Sequence, residues 1–352
     1  MMFDSLDHRD HEQVTYFSDE ETGLQAIVAI HDTRLGPSLG GTRMRDYESE
    51  DAALKDVLRL SNAMTFKAAA ADLDLGGGKA VIIGDSKLKD EAFLRSYGRA
   101  IDRLGGRYIT SVDVNTTVED MDVIKEETDH VVGTSNGLGD PSPVTAHGAL
   151  HAIGACVEFV YGKESMDGIH VAVQGIGKVG GRLAADLAKY GADVTVTDID
   201  ATDVEAFVAE HGVDSVPTDE IYDVSCDVFA PCAFGGAVND DTISRLDCDI
   251  VAGAANNILD DETRHAAELK ARDILYAPDY VVNAGGLITV AKEYTGGTRE
   301  DAFTEAEAIG DRLLTMMERA EAEDTTVLKG AQRYVEDRLE GSGRPMSTLA
   351  GD

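Results

Sequence analysis

One stretch restricts the fold of this chain more than any other. HVAVQ at 170–174 runs directly into GIGKVG at 175–180, and a helical pattern follows through Tyr190. The short apolar run predicts a buried strand, and three glycines at GxGxxG spacing predict a strand-to-helix turn. Gly175 permits the tight turn, Gly177 leaves the backbone open to a close ligand, and Gly180 lets helix and strand pack together. The helix presents unpaired N–H groups and the positive end of its dipole, which suits a pyrophosphate. Lys178 and Val179, inside the turn, belong to the same expected contact surface. The next strand, DVTVT at 193–197, ends at Asp198, at an offset of 23 from Gly175. A carboxylate there hydrogen-bonds a ribose 2′-hydroxyl and repels a 2′-phosphate, so the expected cofactor is NAD rather than NADP. Asp200 is a second candidate for that contact.

The rest of the 352 residues fits an α/β chain of two domains. In the first part, strands are expected at 24–31 and 79–84, with helices at 49–64 and 90–104. GTSNGLGDPSP at 133–143 is the clearest break in the pattern and marks the expected hinge. A helix at 143–161 leads into strand candidates at 169–173, 193–197, 227–230, 249–252 and 273–276, alternating with helices in a doubly wound Rossmann arrangement. Two last helices, 299–322 and 325–340, precede a polar tail. The expected organisation is a substrate-binding and oligomerisation domain at 1–138 and a Rossmann NAD-binding domain at 139–324, separated by a cleft. The C-terminal helix, about 325–352, is assigned to pack back on the first domain.

Composition excludes several classes of function. Sixty-six acidic residues against 31 basic ones give a net charge of −35, which repels nucleic acid and anionic lipid. The acids are spread along a chain that is 43% hydrophobic, which argues for a folded protein rather than a disordered one. Such a surface suits a highly saline, halophilic cytoplasm, where salt screens self-repulsion. No apolar run reaches bilayer length, and the acidic N-terminus lacks the features of a secretory signal. Cys156, Cys226, Cys232 and Cys248 form no CxxC pair, the nine histidines include no HExxH, and no metal site is expected.

A second glycine cluster, Gly76-Gly77-Gly78, stands immediately before Lys79, with Lys67 upstream in MTFKAAA. Three consecutive glycines carry a high conformational cost, and the pattern reads as backbone passing close to a ligand.

These segments resemble the leucine, phenylalanine and valine dehydrogenase branch of the glutamate dehydrogenase superfamily, the leucine dehydrogenases most of all. The matching stretches are LGGTRMR (39–45), MTFKAAAADLDLGGGKAVIIGD (64–85), GRYITSVDVNTTVEDMD (106–122), DPSPVTAHG (140–148), VAVQGIGKVG (171–180), VTDI (196–199), IYDVSCDVFAPCA (221–233), VAGAANN (251–257) and YAPDYVVNAGG (276–286). The resemblance implies that Lys67 binds the substrate carboxylate, that Lys79 is the catalytic lysine acting through water, and that Asp113 exchanges a proton with the substrate amine. It further implies that Gly40, Gly41 and Met64 line the substrate, that Asn283 lies near substrate and nicotinamide, and that Thr145 meets the nicotinamide amide. It also implies a homo-oligomer.

The implied reaction converts an L-amino acid to a 2-oxo acid and ammonia. Glutamate dehydrogenases typically carry lysine at the position of Leu39, and without it a buried glutamate side chain lacks a partner at a cost of several kcal/mol. Leu287 and Val290 match positions that line an aliphatic pocket, so leucine, isoleucine and valine are the expected substrates. A phenylalanine-type or glutamate enzyme of the same superfamily, and a catalytically silent NAD-binding regulatory protein, are the competing readings. Three positions depart from the leucine dehydrogenase pattern: Val112 stands for glutamate, Asn115 for glycine and Val132 for threonine.

Overall fold

The computed structural model describes residues 11–342. The expected loose tail lies almost wholly outside them. By Cα proximity the chain forms two compact units. Of the described residues, one comprises 11–139, 290–298 and 335–342; the other comprises 140–289 and 299–334.

The first unit opens with a hairpin, β1 (Gln13–Asp19) and β2 (Leu24–Asp32), followed by β3 (Ser38–Arg45). Helix α1 (Glu50–Ala70) starts where Ser49 accepts the Ala52 N–H, with Glu50 and Asp51 favourably placed in its first turn. It runs a turn and a half beyond the expected end at 64, which puts Lys67 on helix. Strand β4 (Gly76–Ile83), α2 (Glu91–Asp102), β5 (Tyr108–Val112) and α3 (Val118–Lys125) complete the unit's main elements. The sheet order is β1-β2-β4-β3-β5, antiparallel at β1/β2 and β2/β4, parallel at β4/β3 and β3/β5.

Alternation along the strands divides the core. Met44, Ala80, Ile82 and Tyr108 pack with Phe93, Tyr97 and Ile101 of α2 on one face. Ile27, Ala29 and Val81 pack with Ala53, Val57 and Leu58 of α1 on the other. Burying each large aliphatic side chain contributes about 1.5–3 kcal/mol.

The glycine triplet lies inside β4, not in a turn. A Cβ at Gly76 would overlap the Asp32 carbonyl, one at Gly77 the backbone of Thr65 in α1, and one at Gly78 the side chains of Ser38 and Tyr108. The close approach is therefore to protein rather than to a ligand, which corrects the reading from sequence.

The second unit begins with α4 (Ser142–Tyr161). It continues through β6 (His170–Gln174), α5 (Gly180–Lys189), β7 (Asp193–Thr197), α6 (Ala201–His211), β8 (Asp214–Ser215), β9 (Val228–Pro231) and β10 (Ile250–Val251). Then come α7 (Glu262–Ala271), β11 (Leu275–Tyr276), α8 (Asp279–Val282), α9 (Gly285–Tyr294), α10 (Arg299–Glu307), α11 (Ile309–Ala322) and α12 (Val327–Gly341). Its six strands are parallel in the order β11-β10-β9-β6-β7-β8, with the strand order reversing between β9 and β6. That is the doubly wound dinucleotide-binding arrangement.

The single helix expected over 299–322 is two, broken at Ala308. The division between the units runs within α9 and within α12. Residues 290–298, assigned from sequence to the second domain, thus belong to the first unit. There Glu293 accepts the N–H of Gly133 at 2.8 Å and that of Leu138 at 3.3 Å. At the end of α12, Arg338 donates to the carbonyl of Ala69 at 3.1 Å and lies 3.2 Å from Asp74, capping the C-terminus of α1.

Candidate active site

Three neighbouring parallel strands build the charged site of the first unit. In β3, Gly40 and Gly41 pair with Thr110 and Ser111 of β5, while Thr42 pairs with Ala80 of β4. Lys79 in β4 and Asp113 just past β5 therefore flank Gly41 from opposite sides. They form an ion pair across it. Gly41 makes this crossing possible, because a Cβ there would stand 2.8 Å from the Asp113 Cβ and 2.5 Å from the Val112 carbonyl oxygen. Gly40 serves packing instead: its Cβ would overlap the Gly78 carbonyl, and its own carbonyl accepts the Tyr108 hydroxyl at 2.6 Å.

The pair is held from behind. Asp113 donates its N–H to the Thr116 hydroxyl at 2.9 Å, and that hydroxyl donates to the Thr42 carbonyl at 2.8 Å. The Asp113 carboxylate accepts the Val114 N–H at 2.6 Å and lies 3.7 Å from Arg43. Arg43 in turn donates to Asp56 of α1 at 3.1 Å, and Tyr47 donates to the same carboxylate at 2.8 Å. Neither Arg43 nor Thr116 is assigned a role from sequence. The signal for Arg43 is its place two residues after Gly41, on the same face of β3, but that needs β3 to be recognised as a strand.

Lys79 is only 7% exposed. Burial lowers its pKa from the ordinary lysine value, and the negative charge of Asp113 opposes that fall. Burial also acts against the Asp113 carboxylate, but the Lys79 ammonium and Arg43 outweigh it and hold the carboxyl below its usual range. The product is a buried amine whose charged form is disfavoured by burial, beside a carboxyl held below its usual range. This is the arrangement that general acid–base chemistry requires.

The remaining expected substrate residues of this unit lie on β3, α1 and α9. Leu39, two residues before Gly41 in β3, is fully buried. Lys67 and Met64 are half-buried on α1, flanking Thr65, the residue against which Gly77 packs. Val290 is half-buried on the part of α9 that belongs to this unit. Asn115 adopts a left-handed backbone with φ +59°, and its side-chain amide donates to the Met44 carbonyl at 3.1 Å. Asparagine tolerates this conformation better than other non-glycine residues, which accounts for its standing where leucine dehydrogenases carry glycine.

In the second unit, β6 delivers the chain into the glycine turn at the strand-order reversal. Gly175 has φ +95° and a Cβ there would be 2.8 Å from that of Ala233, while a Cβ at Gly180 would overlap the Gly175 carbonyl. At Gly177 a Cβ would meet nothing within 4 Å, so here the glycine leaves open space rather than filling it. Val179 caps α5 with no side-chain hydrogen bond, and although the Gly177 carbonyl accepts the Gly181 N–H at 2.9 Å, the helix end still presents its positive dipole to an anion. Lys178 is exposed and lies 3.5 Å from Asp140. Asp198 accepts the Ile176 N–H at 2.8 Å and the Ile199 N–H at 2.7 Å, so its carboxylate is held against the glycine turn. Asp200 is instead the N-cap of α6, accepting from Thr202 and Asp203. These features fit an adenine dinucleotide: open space at the middle glycine, an uncapped helix end and a carboxylate beside them.

Thr145 and Asn283 approach one another through a further glycine. Gly285 packs on the backbone of Val144 and Thr145 without room for a Cβ, and Gly286 faces the Thr145 hydroxyl. Asn283 is buried and donates to the Ala255 carbonyl at 3.1 Å and to Asn256 at 3.0 Å, within the loop that follows β10. Leu287 is buried one turn farther on.

The chain matches two family models. Residues 11–130 match the Glu/Leu/Phe/Val dehydrogenase dimerisation domain, and residues 197–342 match Glutamate/Leucine/Phenylalanine/Valine dehydrogenase. It is 48% identical to a leucine dehydrogenase of Thermoactinomyces intermedius, over 100% of this chain and 97% of that one. The chain belongs to the Glu/Leu/Phe/Val dehydrogenase family. Aromatic-substrate members of the family are similar too. A phenylalanine dehydrogenase of Caldalkalibacillus thermarum is 45% identical over 97% of this chain and 95% of its own. The crystal structure of L-tryptophan dehydrogenase from Nostoc punctiforme superposes with a TM-score of 0.90 at 44% identity, covering 98% of this chain and 100% of that one. This Glu/Leu/Phe/Val dehydrogenase is thus an NAD-dependent amino-acid dehydrogenase acting on a CH–NH2 group. Among the described residues no helix is long and apolar enough to cross a membrane.

Proposed function

We propose that this enzyme oxidatively deaminates apolar, branched-chain L-amino acids, leucine foremost, and reductively aminates the corresponding 2-oxo acids. The observation that carries the reading is the buried Lys79–Asp113 pair over Gly41, with the aliphatic Leu39 on the same strand face. Leu39 offers nothing to a side-chain carboxylate, which disfavours glutamate. In the first unit Val290, Gly41 and Met64 would line the substrate, with Gly40 packed on Gly78 behind them.

Lys67 would pair with the substrate carboxylate and fix the amino acid's orientation. Asp113 accepts a proton from the α-ammonium, leaving a neutral amine. Gly175, Gly177, Lys178, Val179, Gly180 and Asp198, together with Thr145 and Asn283, would hold NAD, which would supply the acceptor for the hydride that leaves Cα. Loss of that hydride converts substrate to an iminium. Lys79 then takes a proton from a water that attacks the iminium carbon, forming a carbinolamine. Asp113 returns its proton to the nitrogen and takes the hydroxyl proton as ammonia departs, leaving the 2-oxo acid. Lys79 releases its proton to solvent, and Asp113 passes its own to ammonia. Burial of Lys79 supports this role, since an ordinary lysine, with pKa about 10.4, is a weak base at neutral pH because it is almost wholly protonated.

Initial rates of NADH formation with leucine, isoleucine, valine, phenylalanine, tryptophan and glutamate, in concentrated KCl, test the reading. Leucine, isoleucine and valine should have the highest kcat/KM. Faster turnover of phenylalanine or tryptophan would replace it with an aromatic-type enzyme, the alternative favoured by the relatives of 44–45% identity. Selectivity among aliphatic side chains is expected to be modest, because one methylene is worth only about 1–3 kcal/mol. A homo-oligomer and a halophilic cytoplasmic setting complete the proposal; the first is measured by light scattering.

A further inference from the structure

The second unit carries a cluster of metal-ligating side chains that the dehydrogenase chemistry does not use. Helix α4 presents His147 and His151, spaced i,i+4 and therefore stacked on one helical face. Their rings meet edge to face at 4.7 Å. Opposite them, Glu307 ends α10, and His147 Nε2 lies 3.1 Å from its Oε1. One donor atom from each of the three residues lies within 4.8 Å of the others.

The surrounding packing builds this geometry. Gly148, between the two histidines, has a neighbour so close that a Cβ would stand 2.6 Å from Ile309 Cδ1, and Ala306 lies 3.6 Å away. Lacking a side chain at 148, α4 lets the α10–α11 junction settle against it, which brings Glu307 over the histidine pair. Phe303, one turn before Glu307, packs edge to face on His147 at 5.2 Å and restricts how that ring turns. His147 and His151 are half-buried, while the Glu307 side chain is half open to solvent. That exposure leaves an entry path and room for water.

We propose that His147, His151 and Glu307 bind one divalent transition-metal ion of the zinc class, clamping α4 to the end of α10. Two imidazole nitrogens and one carboxylate oxygen are a recurrent three-ligand set for zinc, with water as the fourth ligand. Donors on a tetrahedron of radius about 2.0–2.1 Å stand roughly 3.3 Å apart, so the His147–Glu307 spacing already suits the ion. The wider spacings, up to 4.8 Å, must contract by side-chain rotation when the ion binds. Two nitrogen donors select against magnesium and calcium, which take oxygen ligands. From sequence the pair HGALH resembles no zinc motif, and the carboxylate comes from a helix that lies far along the chain.

The test is titration of the chelator-treated full-length enzyme with ZnCl2 by calorimetry, in the presence of millimolar MgCl2 to occupy the acidic surface. Visible spectroscopy of the Co2+-loaded protein gives an independent reading of the ligand set. The expected result is one zinc per chain, displaced by Co2+ with the bands of a low-coordinate nitrogen–oxygen site, and a higher Tm with zinc. His151→Gln and His147→Gln should each weaken zinc binding by at least about 100-fold, the upper end of what loss of an outer partner to a ligand costs. Their circular dichroism and NAD affinity should stay as in the parent. Should a variant fail to fold, Glu307→Gln, half exposed at a helix end, carries the same expectation. Zinc binding equal in parent and variants, binding abolished by magnesium, or no saturable uptake would each overturn the proposal.

Discussion

Gly41→Ala is the sharpest perturbation of the proposed chemistry, because it changes one methyl group and no charge. The added Cβ would stand 2.8 Å from the Asp113 Cβ and 2.5 Å from the Val112 carbonyl oxygen, where ordinary contact begins at 3.4 Å. Asp113 must therefore withdraw by about 0.6 Å, and the backbone at Val112 by about 0.9 Å. Overpacking of this kind costs about 1–3 kcal/mol of stability. Displacing a reacting group by roughly 1 Å costs on the order of 100-fold in rate, or about 2.7 kcal/mol of barrier. The expected variant is folded, with a slightly lower Tm, NAD affinity within about twofold of the parent and kcat/KM for leucine down about 100-fold. Dye-monitored melting, NADH fluorescence titration and initial-rate kinetics measure the three quantities. Unchanged kcat/KM in a folded variant, or a loss confined to NAD binding, would refute the reasoning that Gly41 exists to let Lys79 and Asp113 meet.

Lys79→Ala should keep NAD binding and lose turnover by at least about 100-fold, the low end of acid–base catalysis. Because burial lowers the Lys79 pKa, the amine is neutral over a wider range, so deamination in the parent should rise with pH through that lowered value and level off below the ordinary lysine pKa. A rising limb that persists to the ordinary lysine value would argue against Lys79 as the base. Asp198→Asn preserves an acceptor for the glycine-turn N–H groups but removes the charge, so the ratio of kcat/KM for NAD over NADP should fall, by about tenfold if about 1.4 kcal/mol of repulsion is lost. Arg338→Ala strips the last carbonyls of α1 of their charged donor, which should lower stability by about 1–3 kcal/mol in denaturant melts and raise KM for the amino acid through the turn that carries Lys67. Raising KCl from dilute to multimolar should raise Tm, since screening relieves the self-repulsion of a charge of −35.

The second unit was the more legible in the sequence, for a physical reason. In a parallel sheet the central strands are buried on both faces and read as short apolar runs, and DVTVT at 193–197 coincides with β7 residue for residue. Strands β10 and β11, at one end of the sheet, are only two residues long, and the expected 249–252 and 273–276 overstate them. In the first unit, β3 was invisible as a strand because Gly40, Gly41 and Arg43 occupy it, residues with little strand propensity. Strand β1 is half exposed and carries a weak pattern. The glycine triplet was visible, but its cause was not: Thr65, Asp32 and Tyr108 approach it from elements scattered over the chain. For the same reason the Lys79–Asp113 pair follows from resemblance and from coordinates, but not from spacing. Arg43, Thr116 and Glu293 escaped because each acts through a partner fixed only by folding. Asp200 was raised as a ribose contact and stands as the cap of α6.

The grip of Glu293 on the loop at 133–138 bears on the order in which a nascent chain takes shape. Residues 140–289 are continuous and hold all six strands of their sheet, so they leave the ribosome as a nearly self-sufficient folding unit. The first unit likewise has its five strands within one continuous stretch, but its loop anchor arrives with residue 293 and the clasp on its longest helix with residue 338. The unit that comes first in the chain is therefore the last to be fastened. A message truncated between residues 289 and 293 would yield the six-stranded sheet of the second unit beside a first unit still lacking both fastenings.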